Sequence, residues 1–90
     1  MKIIFDFKGS IFGQKEKIAL DVPDNITVLE SLEIISKQIP SLSPLLFQNE
    51  SIRNDIVILV DRLDVKAMKL LSLPLKENQQ ITILPLAHGG

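Results

Sequence analysis

The sequence contains no cysteine, tryptophan or tyrosine, and it has a single histidine, His88. Without cysteine the chain has no disulfide, no thiolate metal ligand and no side-chain thiol nucleophile. A lone histidine next to two glycines makes neither a metal site nor a catalytic triad. The carboxylates Asp61 and Asp64 lie in a polar stretch typical of a turn, so we expect no metal site and no acid-base site in this chain.

Strong net charge and long apolar runs are lacking as well. Ten basic and eleven acidic side chains give a formal net charge of -1, so no overall field draws the chain to nucleic acid or to an anionic membrane. The basic cluster Lys8, Lys15 and Lys17 lacks the interleaved aromatic side chains that stack on bases. Asp6 interrupts the apolar start of the chain, and no segment approaches the roughly 20 apolar residues of a membrane span. We therefore expect a cytoplasmic protein that binds neither nucleic acid nor membranes.

What the sequence does contain is a set of short periodic segments. Apolar and polar residues alternate over 2–7 and again over 18–22, which predicts two half-buried strands joined by a hairpin. The uninterrupted apolar run at 56–60 predicts a strand covered on both faces for at least part of its length. A last strand is predicted at 81–84.

One amphipathic helix is predicted between these strands. Thr27, followed three residues later by Glu30, is the signature of a capping box and marks the start of the helix. An apolar stripe recurs at spacings of four, three and four residues, at Val28, Leu32, Ile35 and Ile39. Pro40 ends the helix. A second, short helical turn is predicted with Ser43 as its N-cap and Pro44 at its first position.

The order of these elements predicts the fold class. Two hairpins that flank one helix bury its apolar stripe by laying it across a single sheet. The crossover that holds the helix makes the first and last strands parallel neighbours. We therefore predict an α+β protein with the β-grasp, ubiquitin-like fold: a mixed sheet of four to five strands with one main helix across one face. Pro85 should end the last strand, which leaves a domain over 1–85 and a flexible tail over 86–90.

The last third of the chain, "ILVDRLDVKAMKLLSLPLKENQQITILPLAHGG", combines a core strand, a Leu-Pro-Leu stretch, a polar turn, an Ile-Thr-Ile strand, a proline and a final Gly-Gly. In this combination it resembles the small sulfur carriers of the β-grasp superfamily. These are the molybdopterin synthase small subunit, the thiamine sulfur carrier, the ubiquitin-related modifier and the archaeal small modifier proteins. Two turns depart from the family pattern: Asp61 and Arg62 stand where Asn-Gly is common, and Asn78 and Gln79 replace a common Asp-Gly.

The resemblance implies a protein co-substrate rather than an enzyme. A partner adenylating enzyme, using ATP and magnesium, would activate the carboxyl group of Gly90, and sulfur would then convert it to a thiocarboxylate. The sulfur would be donated to tRNA thiolation or to molybdopterin synthesis. Gly89 has no side chain, so the backbone can thread a narrow channel, with Leu86, Ala87 and His88 following it into the partner's active site.

Other fates of the same tail stay open at this point. An activated Gly90 could form an isopeptide bond with lysines of target proteins, which is ubiquitin-like modification, and the two roles need not exclude each other. The chain could also be a non-covalent subunit beside a larger one, such as the large subunit of a molybdopterin synthase, or a plain interaction domain. Leu84 and Ile4 are candidates for a partner-docking patch on the sheet face away from the helix, whereas Ile58 is better explained by core packing.

Overall fold

The computed structural model describes residues 1–13 and 16–86. Within these ranges the strands are β1 (Lys2–Phe7), β2 (Ile18–Asp21), β3 (Phe47–Gln48), β4 (Ser51–Ile52), β5 (Ile56–Val60), β6 (Leu63–Asp64) and β7 (Gln80–Pro85). The helices are α1 (Val28–Gln38) and α2 (Ser43–Leu46), with short 3-10 turns at Ser10–Phe12 and Pro40–Leu42. Over the same residues, no helix combines the length and the apolar character needed to cross a bilayer.

The main sheet has five strands in the order β2-β1-β7-β5-β6, and β3 pairs only with β4 in a separate small hairpin. The first strand lies parallel to the last, with Phe5 opposite Ile81, and antiparallel to β2. The α+β, β-grasp prediction is therefore confirmed, including the parallel pairing. The predicted strands 2–7 and 56–60 match β1 and β5 residue for residue, and β7 is one residue longer at each end than predicted.

Helix α1 begins at the predicted capping box. The Glu30 amide donates to Thr27 Oγ1 at 3.1 Å, and the Thr27 amide donates to Glu30 Oε1 at 3.0 Å. The stripe packs into the core at Val28, Leu32 and Ile35, all fully buried. The helix ends at Gln38, because Pro40 starts a 3-10 turn two residues later.

The predicted cap of α2 is wrong by one residue. Ser43 is the first helical residue, its N-cap is Leu42, and Pro44 occupies the second position. The reason is that Leu42 already has a helical backbone at the end of the preceding 3-10 turn, so there is no extended residue at which a side-chain cap could form. Leu46 of this turn is buried in the core.

Strand β5 is covered less evenly than its apolar run predicts. Ile56, Ile58 and Val60 are buried on the side that faces the core, whereas Val57 and Leu59 on the outer side are only half-buried. The difference follows from α1 lying against one face of the sheet. Ile58 thus belongs to the core, as predicted from the sequence.

The turns that depart from the family pattern keep left-handed backbones without glycine. Asp61 and Arg62, with φ of 48° and 76°, join β5 to β6 as a two-residue hairpin turn with the positive φ values of type I′. The Asp61 carboxylate accepts from Gln79 Nε2 at 3.1 Å and from the Gln80 amide at 3.3 Å. In the later turn Asn78 has φ of 66°. Both turns therefore adopt positive φ without glycine.

The strained Arg62 gives a stability prediction. Replacing Arg62 with glycine removes the cost of a left-handed residue that carries a Cβ and should stabilise the protein by roughly 0.5–1 kcal/mol. Urea unfolding measures the change. Arg62→Ala is the matched control, because it also removes the long side chain but keeps the Cβ. Equal midpoints for the glycine and alanine variants would contradict the interpretation.

The capping box gives a prediction for pH. The Thr27 backbone hydrogen bond, followed by the Thr27 side-chain bond, holds the pKa of Glu30 below its ordinary value. Because the pKa of Glu30 is lower in the folded protein, its ionised carboxylate stabilises the fold. This stabilisation is present above the ordinary pKa and is lost as the pH falls through the lowered pKa. The melting temperature of Glu30→Gln should therefore lie below that of the wild type at neutral pH, and the gap should close in acid. A gap that does not vary with pH would argue against this role for the charge.

Candidate functional site

The end of β7 places the root of the predicted tail at one end of the sheet. Pro85 pairs with Ile56 and closes the strand, as predicted. The next residue is still attached, because the Leu86 amide donates to the carbonyl oxygen of Asp55 at 2.8 Å. The other tail residues of the prediction, Ala87, His88, Gly89 and Gly90, lie outside the described residues. Their roles stay predictions.

The segment that holds Leu86 is itself fixed by charged side chains. Arg53 forms a bidentate pair with Asp55, with Nε to Oδ1 and Nη2 to Oδ2 both at 2.9 Å. This hydrogen bonding, together with the charge of Asp55, raises the pKa of Arg53 above its ordinary value. Lys66 Nζ donates to the carbonyl oxygens of Arg53 and Ile56 at 2.8 and 2.7 Å. The Asp55 residue that accepts from Leu86 is thus fixed by Arg53 through its side chain and by Lys66 through the neighbouring backbone.

On the other side, the tail root contacts the connection between β1 and β2. Gly9 has φ of +104°, and a Cβ placed there would lie 2.9 Å from Pro85 Cδ. Only glycine fits both the backbone angle and the close approach. The turn Ser10–Phe12 follows directly. Its Phe12 side chain is buried, and the centroid of its ring lies 5.4 Å from that of Phe7. Pro85 therefore sits against a turn that is anchored in the core.

These elements enclose an apolar groove of about 270 Å³, which we call the root groove. Its apolar lining comes from six side chains: Ile11, Phe12, Leu45, Ile56, Pro85 and Leu86. The Arg53–Asp55 pair also borders it. Sequence reasoning missed this groove; the signal that could have indicated it is the apolar pair Ile11 and Phe12 in an otherwise polar hairpin connection.

The candidate docking residues Leu84 and Ile4 both lie half-buried on the sheet face away from α1, but at different levels. Leu84 is opposite Val57, whereas Ile4 is opposite Gln80, four residues earlier on β7. At the level between them stands Asp6, which is only 8% exposed and is paired with Lys8 at 3.1 Å. The structure therefore does not bring Ile4 and Leu84 together into one continuous apolar patch.

The other candidate groups have structural roles. Asp64 Oδ1 accepts from the Ala67 amide at 2.9 Å, and Asp61 serves the turn described above. Among residues 1–13 and 16–86, no group of three histidine or carboxylate side chains could hold a metal ion.

No protein-family model matches the sequence, and no curated protein matches it. The structure, however, is similar to several solved ones. SAMP1 from Haloferax volcanii superposes with a TM-score of 0.85 at 16% identity, over 100% of both chains. Urm1 from Trypanosoma brucei gives 0.73 at 17% identity, over 99% of this chain and 95% of that one.

A third similar structure is a protein-protein complex of subunits 1 and 2 of the molybdopterin-converting factor from Helicobacter pylori 26695. The matched chain has a TM-score of 0.66 at 23% identity, over 100% of both chains. These three neighbours are proteins of the kinds that the C-terminal third of the sequence resembles. The chain therefore has the ubiquitin-like β-grasp fold that these proteins share.

Proposed function

We propose that this chain is a ubiquitin-like sulfur carrier whose C-terminal glycine, Gly90, is adenylated by a partner enzyme and converted to a thiocarboxylate. The observation that carries the proposal is the position of the tail root. On a β-grasp domain, Pro85 closes the central strand at one end of the sheet, and the four residues after Leu86 end in Gly-Gly. The chain acts as a co-substrate, and the partner holds ATP and magnesium.

The chemistry requires activation because a free α-carboxyl group has a pKa of about 3.5 and is a poor electrophile as the carboxylate. A carboxylate oxygen of Gly90 attacks the α-phosphorus of ATP, and pyrophosphate leaves. Hydrosulfide, or sulfur at the same oxidation level, then attacks the carbonyl carbon; the new C–S bond replaces the bond to AMP, and a proton is lost. Since the chain has no cysteine, the carried sulfur resides on Gly90.

The length of the tail limits where the partner can bind. Four residues span at most about 14 Å when fully extended, so the reactive centre lies within that distance of Leu86. Gly89 and Gly90 present no side chain to the walls of a narrow channel. In this account Ala87 is a small spacer, and His88 is a polar spacer that contacts the enzyme.

The carried sulfur is used in the cytoplasm, for tRNA thiolation or for molybdopterin synthesis. A similar chain from Helicobacter pylori was solved in complex with the second subunit of its molybdopterin-converting factor. That complex supports a role in which this chain binds a partner subunit.

A second function shares the first step. If a lysine amine of another protein attacks the adenylate instead of sulfur, AMP leaves and an isopeptide bond forms. The similarity to small archaeal modifier proteins favours this candidate. Tryptic digestion would leave residues 77–90, which end in Gly-Gly, on the target lysines, because Lys76 is the last lysine or arginine before the terminus. This branch would identify the modification, and the two fates can coexist in one protein.

Deleting Gly90 tests the proposal. The deletion moves the terminal carboxylate back by one residue, and misplacement of a reacting group by even about 1 Å can cost roughly 100-fold in rate. We expect pyrophosphate release with the adenylating enzyme of the same organism to fall at least about 100-fold, while the melting temperature stays unchanged because glycine adds no side chain to the core.

Lys37→Gln, an exposed change on α1, is the control and should react like the wild type. Adenylation of the truncated chain at the wild-type rate would contradict the assignment of Gly90.

A further inference from the structure

We infer that the root groove is the seat for an apolar side chain of the adenylating enzyme that takes Gly90. This inference rests on the function proposed above and deepens it by locating the contact between the two proteins. It places recognition at Ile11 and Leu45, on either side of the tail root, in addition to the tail itself.

The first argument is reach. An enzyme that holds the carboxylate of Gly90 must lie within about 14 Å of Leu86, which is the length of four extended residues. Its surface therefore covers the end of the sheet where the groove opens. Ile11 is 59% exposed there and Leu86 is 47% exposed, and both line the same groove. Together with the groove lining they form one apolar surface, and contiguous apolar surface is a feature of interaction sites.

The second argument is that the groove is already formed. Gly9 sits against Pro85, and Phe12 is anchored in the core, so the wall that carries Ile11 is fixed. On the opposite side, Arg53 Nη1 donates to the carbonyl oxygen of Pro44 at 3.4 Å, next to Leu45. A groove with fixed walls loses little conformational freedom when a partner side chain enters, which favours binding.

The third argument concerns the kind of occupant. The groove is lined by six apolar side chains and bordered by the Arg53–Asp55 pair. The Arg53 guanidinium on its border is engaged by Asp55 and by the Pro44 carbonyl, so it is a poor anchor for an anionic ligand. The lining that remains is apolar. An aliphatic or phenylalanine side chain of the partner fits this chemistry.

The outer face of the sheet is a less favourable binding site for the enzyme than the root groove. The apolar residues of this face are the half-buried Ile4, Val57, Leu59 and Leu84, and the level of the Asp6–Lys8 ion pair separates Ile4 from Leu84. An apolar partner surface placed over that face would have to cover this ion pair and desolvate it. At the root groove, Ile11 and Leu86 are more exposed than these side chains, and the Arg53–Asp55 pair lies at the border of the apolar lining.

The kinetic test introduces a charge at the mouth of the groove. Ile11→Asp should raise the KM of the adenylating enzyme for this chain about tenfold or more, with kcat little changed, because the lost contact is present in the ground state and the transition state alike. Met68→Asp is the matched control, since Met68 is 55% exposed and lies outside the root groove. Ile11→Val should restore most of the affinity. An unchanged KM for Ile11→Asp would overturn the inference.

A second measurement uses the absence of cysteine. In Ile11→Cys the introduced thiol is the only one in the chain, and its alkylation should slow about tenfold or more when the adenylating enzyme is bound without ATP, whereas Met68→Cys should react at the same rate. Equal rates at position 11 with and without enzyme would contradict the inference. Protection that appears at high concentration of this chain alone would assign the groove to a second copy and would also overturn it.

The kinetic test separates this inference from the proposed function. If the wild-type chain is adenylated and Ile11→Asp has a normal KM, only the docking site is wrong. If the wild-type chain is not adenylated at all, the proposed function fails, and the inference fails with it.

Discussion

The parallel pairing of β1 with β7 is the constraint on which the rest of the molecule depends. It places Phe5 beside Ile81 and Phe7 beside Ile83, all four buried in the centre of the core. Parallel neighbours need a long crossover, and α1 is the element that fills it and covers the sheet. The pairing continues past the strands, because the Lys8 amide donates to the Ile83 carbonyl oxygen at 2.8 Å.

The same pairing connects the core to the site. By extending the ladder to Lys8 it brings Gly9 against Pro85, and the antiparallel pairing of β5 with β7 brings Asp55 to Leu86. The tail root is therefore held by backbone contacts from both neighbouring strands.

Much of this fold could be predicted because its signals are local. The alternation of apolar and polar residues predicted β1, and the Thr27–Glu30 spacing predicted the start of α1, because each pattern lies within one element. The small hairpin of β3 and β4 was missed because two-residue strands are too short to show a period. The separation of Ile4 from Leu84 and the root groove were also missed. The separation depends on strand register, and the groove is lined by residues from distant parts of the chain, such as Ile11 and Leu45. No local pattern contains either kind of information.

The central claim is that sulfur is carried on the C-terminal glycine, and the most direct measurement is the intact mass of the protein recovered from its own organism under alkylating conditions. Fragmentation must locate the adduct, because exchanging oxygen for sulfur and oxidising a methionine add nearly the same mass. The chain has no thiol of its own, so a thiol-directed alkyl group can mark only an added sulfur. The account predicts an alkyl adduct at Gly90. Protein with an unalkylated carboxylate at Gly90 throughout would contradict it.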